Sequence, residues 1–205
     1  MSKLALIGRS SSHFTRIARI FAAELGVDVE LEVVRDLTST DAAAFGGNPA
    51  LSIPSLRTSQ GVWFGALNVT RVLGRYAADT RGILWPEHVN TLVACNAQEV
   101  TLSAMNAGVV IITGKVNQLP ETSPALTKPL LRLQAAIAWL EEHLEIALQS
   151  LPERRTSFLE VSAYAFLSHL SFRGLGNLDA QPKLTAFCAR FAERPAALAT
   201  PYRFD

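Results

Sequence analysis

The sequence predicts an α/β unit followed by an all-helical unit, with residues 1–78 in the first, 79–86 as a linker and 87–205 in the second. Three observations predict this division. The opening residues read in succession as strand, loop, helix and strand. The stretch from Asp79 to Pro86, which contains Gly82, then breaks the periodicity. Beyond it, long stretches carry helical spacing between prolines, and no strand pattern competes.

Lys3 to Ile7 reads as a short buried strand, and the polar stretch Gly8 to His13 interrupts it. Phe14, Ile17, Ala18, Phe21, Ala22 and Leu25 recur at helical spacing until Gly26, which is suited to ending a helix. Val27, Val29, Leu31 and Val33 alternate with Asp28, Glu30 and Glu32, the period of a strand with one solvated face. Thr38 to Asn48 is small and loosely helical. Ile53 to Arg57 and Val62 to Phe64 read as two strands about the turn Ser59-Gln60-Gly61. Val69, Val72, Leu73 and Tyr76 complete the first unit with a helix over Leu67 to Tyr76, giving the order βαβαββα.

In the second unit helices are predicted over Val89 to Ile112, Leu126 to Leu151, Phe158 to Phe172 and Pro182 to Phe191, with Pro120, Pro124, Pro152 and Pro182 near their boundaries. Ser157 to Glu160 is a capping box: the Ser157 hydroxyl accepts the Glu160 amide, and the Glu160 carboxylate reaches back to the amide of Ser157. Trp139, beside Leu140 and Leu144, reads as core.

Composition excludes several classes. The 205 residues are 49% hydrophobic and 18% charged, with 19 Lys and Arg against 18 Asp and Glu. A formal charge of +1 leaves no field to draw in a polyanion, so neither nucleic acid nor an acidic membrane is an expected partner. Cys95 and Cys188 lie far apart, and neither belongs to a metal-binding or disulfide pattern. No metal is expected. The apolar run Leu4 to Ile7 is too short for a signal peptide, so a cytoplasmic location is expected.

Several ordered segments carry a resemblance. Ser12-His13-Phe14-Thr15-Arg16-Ile17-Ala18-Arg19, Asn48-Pro49 leading to Ile53-Pro54, the capping box, and the closing Gln181-Pro182 and Arg194-Pro195-Ala196 segments together resemble the cytosolic glutathione transferase superfamily. The resemblance covers essentially the whole chain. It implies a thioredoxin-like first domain, an all-helical second domain, a homodimer, and glutathione as co-substrate for conjugation to a small hydrophobic electrophile in detoxification.

That chemistry needs a thiolate near neutral pH, although an ordinary thiol titrates at about 8.5. A hydroxyl at a helix start can stabilise the anion by a hydrogen bond and by the helix dipole. Ser12 matches the family's activating serine; equally, it reads as a plain helix cap. Ser10 and Ser11 are possible substitutes. His13 is a further possible contact, though as a loop histidine it is expected to be solvated. The resemblance assigns the cysteinyl backbone of glutathione to Ile53, before a normally cis Pro54, and the γ-glutamyl end to Ala66 and Leu67. Here the sequence departs from the family, since Gly65 and Ala66 stand where an acidic or amide residue and a hydroxyl are usual. Met105, Asn106 and Val109 are the expected electrophile-pocket residues, or else packing on one face of a long helix. Two other functions fit the same resemblance: a non-catalytic binding or scaffold protein, and a glutathione-dependent isomerase or dehalogenase.

Overall fold

The computed structural model describes residues 4–205, and Lys3, the expected start of the first strand, lies outside them. The chain divides into two compact units, one comprising residues up to Arg81 together with Ala192–Asp205, the other Gly82–Phe191. The sequence division differs at two points. The helical unit begins inside the expected linker, and residues 192–205 return to the first unit instead of closing the second.

The first unit is built on a four-stranded sheet. β1 (Leu4–Gly8) and β2 (Val29–Val33) are parallel, joined by α1 (His13–Glu24), while β3 (Ser55–Thr58) and β4 (Gly61–Phe64) are antiparallel. The strand order is β2-β1-β3-β4, and α2 (Ala66–Tyr76) follows. Every residue of β1 is buried, as an apolar run between two neighbouring strands requires, whereas β2 alternates half-buried and exposed positions. Ile17, Ile20 and Phe21 of α1 and Val69 and Leu73 of α2 are fully buried, and the two helices pack together. Ile7 packs with Val34, Phe45 and Ile53 in a separate cluster. The loose helix expected over Thr38 to Asn48 contracts to one 3-10 turn, Ala42–Phe45, capped by Asp41 and ended by left-handed Gly46. Phe45 alone of that turn is buried, so there is no apolar stripe to extend it.

The second unit consists mainly of α3 (Leu92–Val116), α4 (Pro124–Gln149), α5 (Phe158–Phe172) and α6 (Pro182–Ala192). A two-stranded parallel pairing, β5 (Ile83–Leu84) with β6 (Thr156–Ser157), ties the expected linker to the start of α5. Strands of two residues carry no periodicity, so nothing in the sequence announces them. The capping box forms in half. Ser157 Oγ accepts the Glu160 amide at 3.1 Å, but the Glu160 carboxylate accepts the Ser157 hydroxyl at 2.7 Å and Arg154 Nε at 2.8 Å. Arg154 has captured the carboxylate that was expected to reach the Ser157 amide. Trp139 is half-exposed and stacks on His143, so only Leu140 and Leu144 are core. The last helix, α7 (Pro195–Leu198), belongs to the first unit and packs against α1.

Candidate functional site

Strand direction brings three loops to one end of the sheet in the first unit. Ile7 lies opposite Ser55, so the end of β1 and the start of β3 share an edge; Ser55 lies opposite Phe64, so the end of β4 joins them. The loop 9–12, the approach to β3 and the start of α2 therefore meet there. A bond from the Gly65 amide to the Pro54 carbonyl, 2.9 Å, closes the second onto the third.

The serine loop is a tight turn stitched to the first turn of α1. The Ser12 amide donates to Arg9 O at 3.1 Å, and Ser12 Oγ, at the N-cap, accepts the Thr15 amide at 3.2 Å. Thr15 Oγ1 accepts the Arg9 amide at 3.4 Å. Gly8 permits this closeness, since a Cβ there would stand 2.6 Å from the Thr15 side chain. Ser10 and Ser11 are buried, whereas Ser12 is half-exposed, so Ser12 is the most accessible of the three. His13 is 2% exposed, which corrects the solvated loop histidine of the sequence reading: it is the first residue of α1, its ring edge-on to Phe14.

On the β3 side, buried Asn48 shapes the chain. Its side-chain amide donates to Ser52 O at 2.8 Å and its carbonyl accepts the Ala50 amide at 3.0 Å, holding Leu51 at φ 50°. The Ile53-Pro54 bond is cis, and the ladder to β1 ends at Ser55, leaving the Ile53 backbone beyond the last paired residue. The third loop turns at Gly65, whose φ of 81° suits glycine, and α2 starts without a side-chain cap. Ala66 is buried and Leu67 half-buried. Their amides belong to the first turn of α2, where amides lack partners within the helix.

No family model matches the sequence, and no curated protein does. Solved structures match throughout. A glutathione transferase family member from Pseudomonas fluorescens Pf-5 with bound glutathione is similar at a TM-score of 0.81 and 22% identity, over 98% of this chain and 100% of that one. A glutathione S-transferase from Methylobacillus flagellatus with glutathione bound matches at 0.77 and 16% identity, over 98% and 100%. The Tau class enzyme of mango matches at 0.71 and 18%, over 97% and 92%. The chain has the glutathione transferase fold.

Within that fold, the residues expected to line an electrophile pocket lie in the helical unit and do not share one surface. Met105 is fully buried in the stripe Ala97, Thr101, Ala104, Gly108 and Ile111 of α3, while Asn106 and Val109 are exposed. A cleft of about 500 Å³ in this unit lies elsewhere, lined by Leu140, Leu144, Leu148, Leu184, Phe187 and Arg190 of α4 and α6. Cys95 is exposed and Cys188 half-buried. Among the described residues no group of three or more His, Cys, Asp or Glu is arranged to hold a metal, and no helix is long and apolar enough to cross a membrane.

One residue at the serine loop escaped the sequence reading. Asp205 Oδ2 accepts the Ser10 amide at 2.6 Å. Burial pushes the Asp205 carboxyl up, but hydrogen bonds from Ser10 and the proximity of Arg203 outweigh it and hold the group below the usual carboxylate range. Arg19 is shifted down, first by burial and then by Arg203 and Arg16, with Asp205 opposing. No motif announces a contact between positions 195 apart.

Proposed function

We propose that the chain binds glutathione at this end of the sheet and activates its thiol through Ser12 for transfer to a small hydrophobic electrophile. The observation that carries the reading is the juxtaposition of the half-exposed Ser12 hydroxyl, at the N-cap of α1, with the unpaired backbone edge at Ile53. Capping and activation are compatible in one hydroxyl. Ser12 Oγ uses a lone pair to accept from Thr15, and its single O–H still donates to a sulfur anion. The positive end of α1 adds to that stabilisation. The Ile53 edge offers an amide and a carbonyl to an extended peptide, as in strand addition. The amides at the start of α2 offer donors to a carboxylate. Glutathione bound in the relatives from Pseudomonas fluorescens and Methylobacillus flagellatus supports this choice of ligand. A cytoplasmic homodimer with a role in detoxification completes the proposal, on the strength of the resemblance.

A second reading, a non-catalytic binding protein with this fold, is favoured by Gly65 and Ala66. Neither supplies a side-chain hydrogen bond where α2 begins. A hydroxyl bonded to a charged group contributes about 1.5 to 3 kcal/mol, roughly ten- to a hundredfold in affinity. Calorimetric titration of the native chain and an Ala66→Ser variant with glutathione separates the two. The transferase reading expects saturable binding that tightens in Ala66→Ser; undetectable binding by both proteins supports the non-catalytic reading.

A further inference from the structure

Residues 192–205 run back along α1 from its end to its beginning. At the C-terminal end of the helix Arg194 pairs with Glu24, with Nη2 at 2.8 Å and Nε at 3.0 Å from Oε1. At the first turn, the guanidinium of Arg16 lies 4.2 Å from the centre of the Tyr202 ring. Before the first turn, Asp205 takes the Ser10 amide. The Asp205 side chain is 7% exposed, with Arg203 Nε 3.6 Å from its other oxygen. Buried Thr200 adds a bond to Ala196 O at 2.8 Å, which stiffens the turn out of α7.

We propose that Asp205 is a positioning residue for the serine loop, its side-chain carboxylate holding the Ser10 amide and thereby the place of the Ser12 hydroxyl at the head of α1. The physical case is the kind of bond. A carboxylate accepting a backbone amide is charge-assisted, shorter and stronger than a neutral pair, and this one is sheltered from water. The remaining bonds named in the turn, from Ser12 to Arg9, from Thr15 to Ser12 and from Arg9 to Thr15, are local and move with it. Asp205 instead references the turn to a segment anchored separately at Glu24 and Arg16. Ser12 lies two positions after the held amide, so a shift of Ser10 carries the hydroxyl with it.

The inference rests on the reading of Ser12 as the thiol-activating group, and its test separates the two claims. Wild type, Asp205→Asn and Asp205→Ala are compared by amide hydrogen exchange without ligand, and by thiolate absorbance against pH with glutathione bound. Both variants lack the charge, but Asn keeps an acceptor oxygen that Ala lacks, so the difference between them reports the side-chain amide with the charge removed from both. In Asp205→Ala, Ser10 exchange is expected to rise about tenfold or more while the Leu6 and Ile17 amides hold; Asn, a neutral acceptor, should restore part of the protection. The bound thiol should titrate at least about half a pH unit higher in Ala than in Asn. Unchanged Ser10 exchange, or a rise spread equally over β1 and α1, overturns the positioning claim. Equal thiol titrations in the two variants, with glutathione bound by all three proteins, overturn its bearing on the sulfur. If the wild type binds no glutathione, the transferase reading fails, and the exchange comparison still decides whether Asp205 holds the loop.

Discussion

At the scale of single residues the proposed chemistry rests on Ser12, whose hydroxyl has one proton to give and two lone pairs with which to receive. In the folded chain one lone pair is committed to the Thr15 amide. Replacing Ser12 with Ala removes both the cap and the donor, and the two losses can be read separately. Stability should fall by about 1 kcal/mol from the lost cap. The bound thiol should titrate roughly one to two units higher, since its anion loses a hydrogen bond. A thermal melt and a thiolate absorbance titration check these; an unshifted titration removes Ser12 from the mechanism. Asp205 predicts a pH dependence of known sign. Its carboxyl lies below the usual range in the folded chain, so it contributes stability above that range, lost as pH falls through the folded value. Melting temperatures across the acid range should accordingly fall less steeply in Asp205→Asn than in the wild type.

Elements of ordinary length were legible because their periodicity spans several turns or pleats. The α1 stripe and the alternation of β2 could be read directly, since each buries one face over enough residues to repeat. The paired residues β5 and β6 were not, because two residues make no pattern. The segment 38–48 looked helical from its small residues, but only Phe45 is buried in the turn that forms. At the site, the serine loop and Ile53-Pro54 were visible as motifs. The bond from Ser10 to Asp205 was invisible, since local sequence contains no record of what a distant segment brings. The start of α5 shows how an element can be right and its bonding different. Glu160 is held by Arg154 and by the Ser157 hydroxyl, with the Arg154 and Glu160 side chains 14% and 17% exposed. Glu160→Ala therefore leaves a mostly buried guanidinium without its counter-charge, held by the carbonyls of Pro152 and Leu148, and should cost about 2 to 3 kcal/mol. Chemical denaturation should show this as a lower midpoint; a midpoint equal to the wild type would mean the pair contributes nothing.

At the scale of the molecule, a charge of +1 and 49% hydrophobic residues named no function, because the thiol that the proposed reaction uses comes from the ligand. The chain's own cysteines, exposed Cys95 and half-buried Cys188, lie in the helical unit and take no part in that reading. The homodimer expected from the resemblance makes a prediction for the intact protein: sedimentation velocity should give one species of twice the 22.2 kDa chain mass. A single species at the chain mass would contradict it.

In the proposed site, backbone donors and the Ser12 hydroxyl hold glutathione where Gly65 and Ala66 supply no side-chain bond. Calorimetric titration of the native chain with glutathione tests it most directly. Saturable binding at one site per chain is expected, tightened about tenfold or more by Ala66→Ser; no heat of binding from either protein at millimolar glutathione would overturn the proposed site.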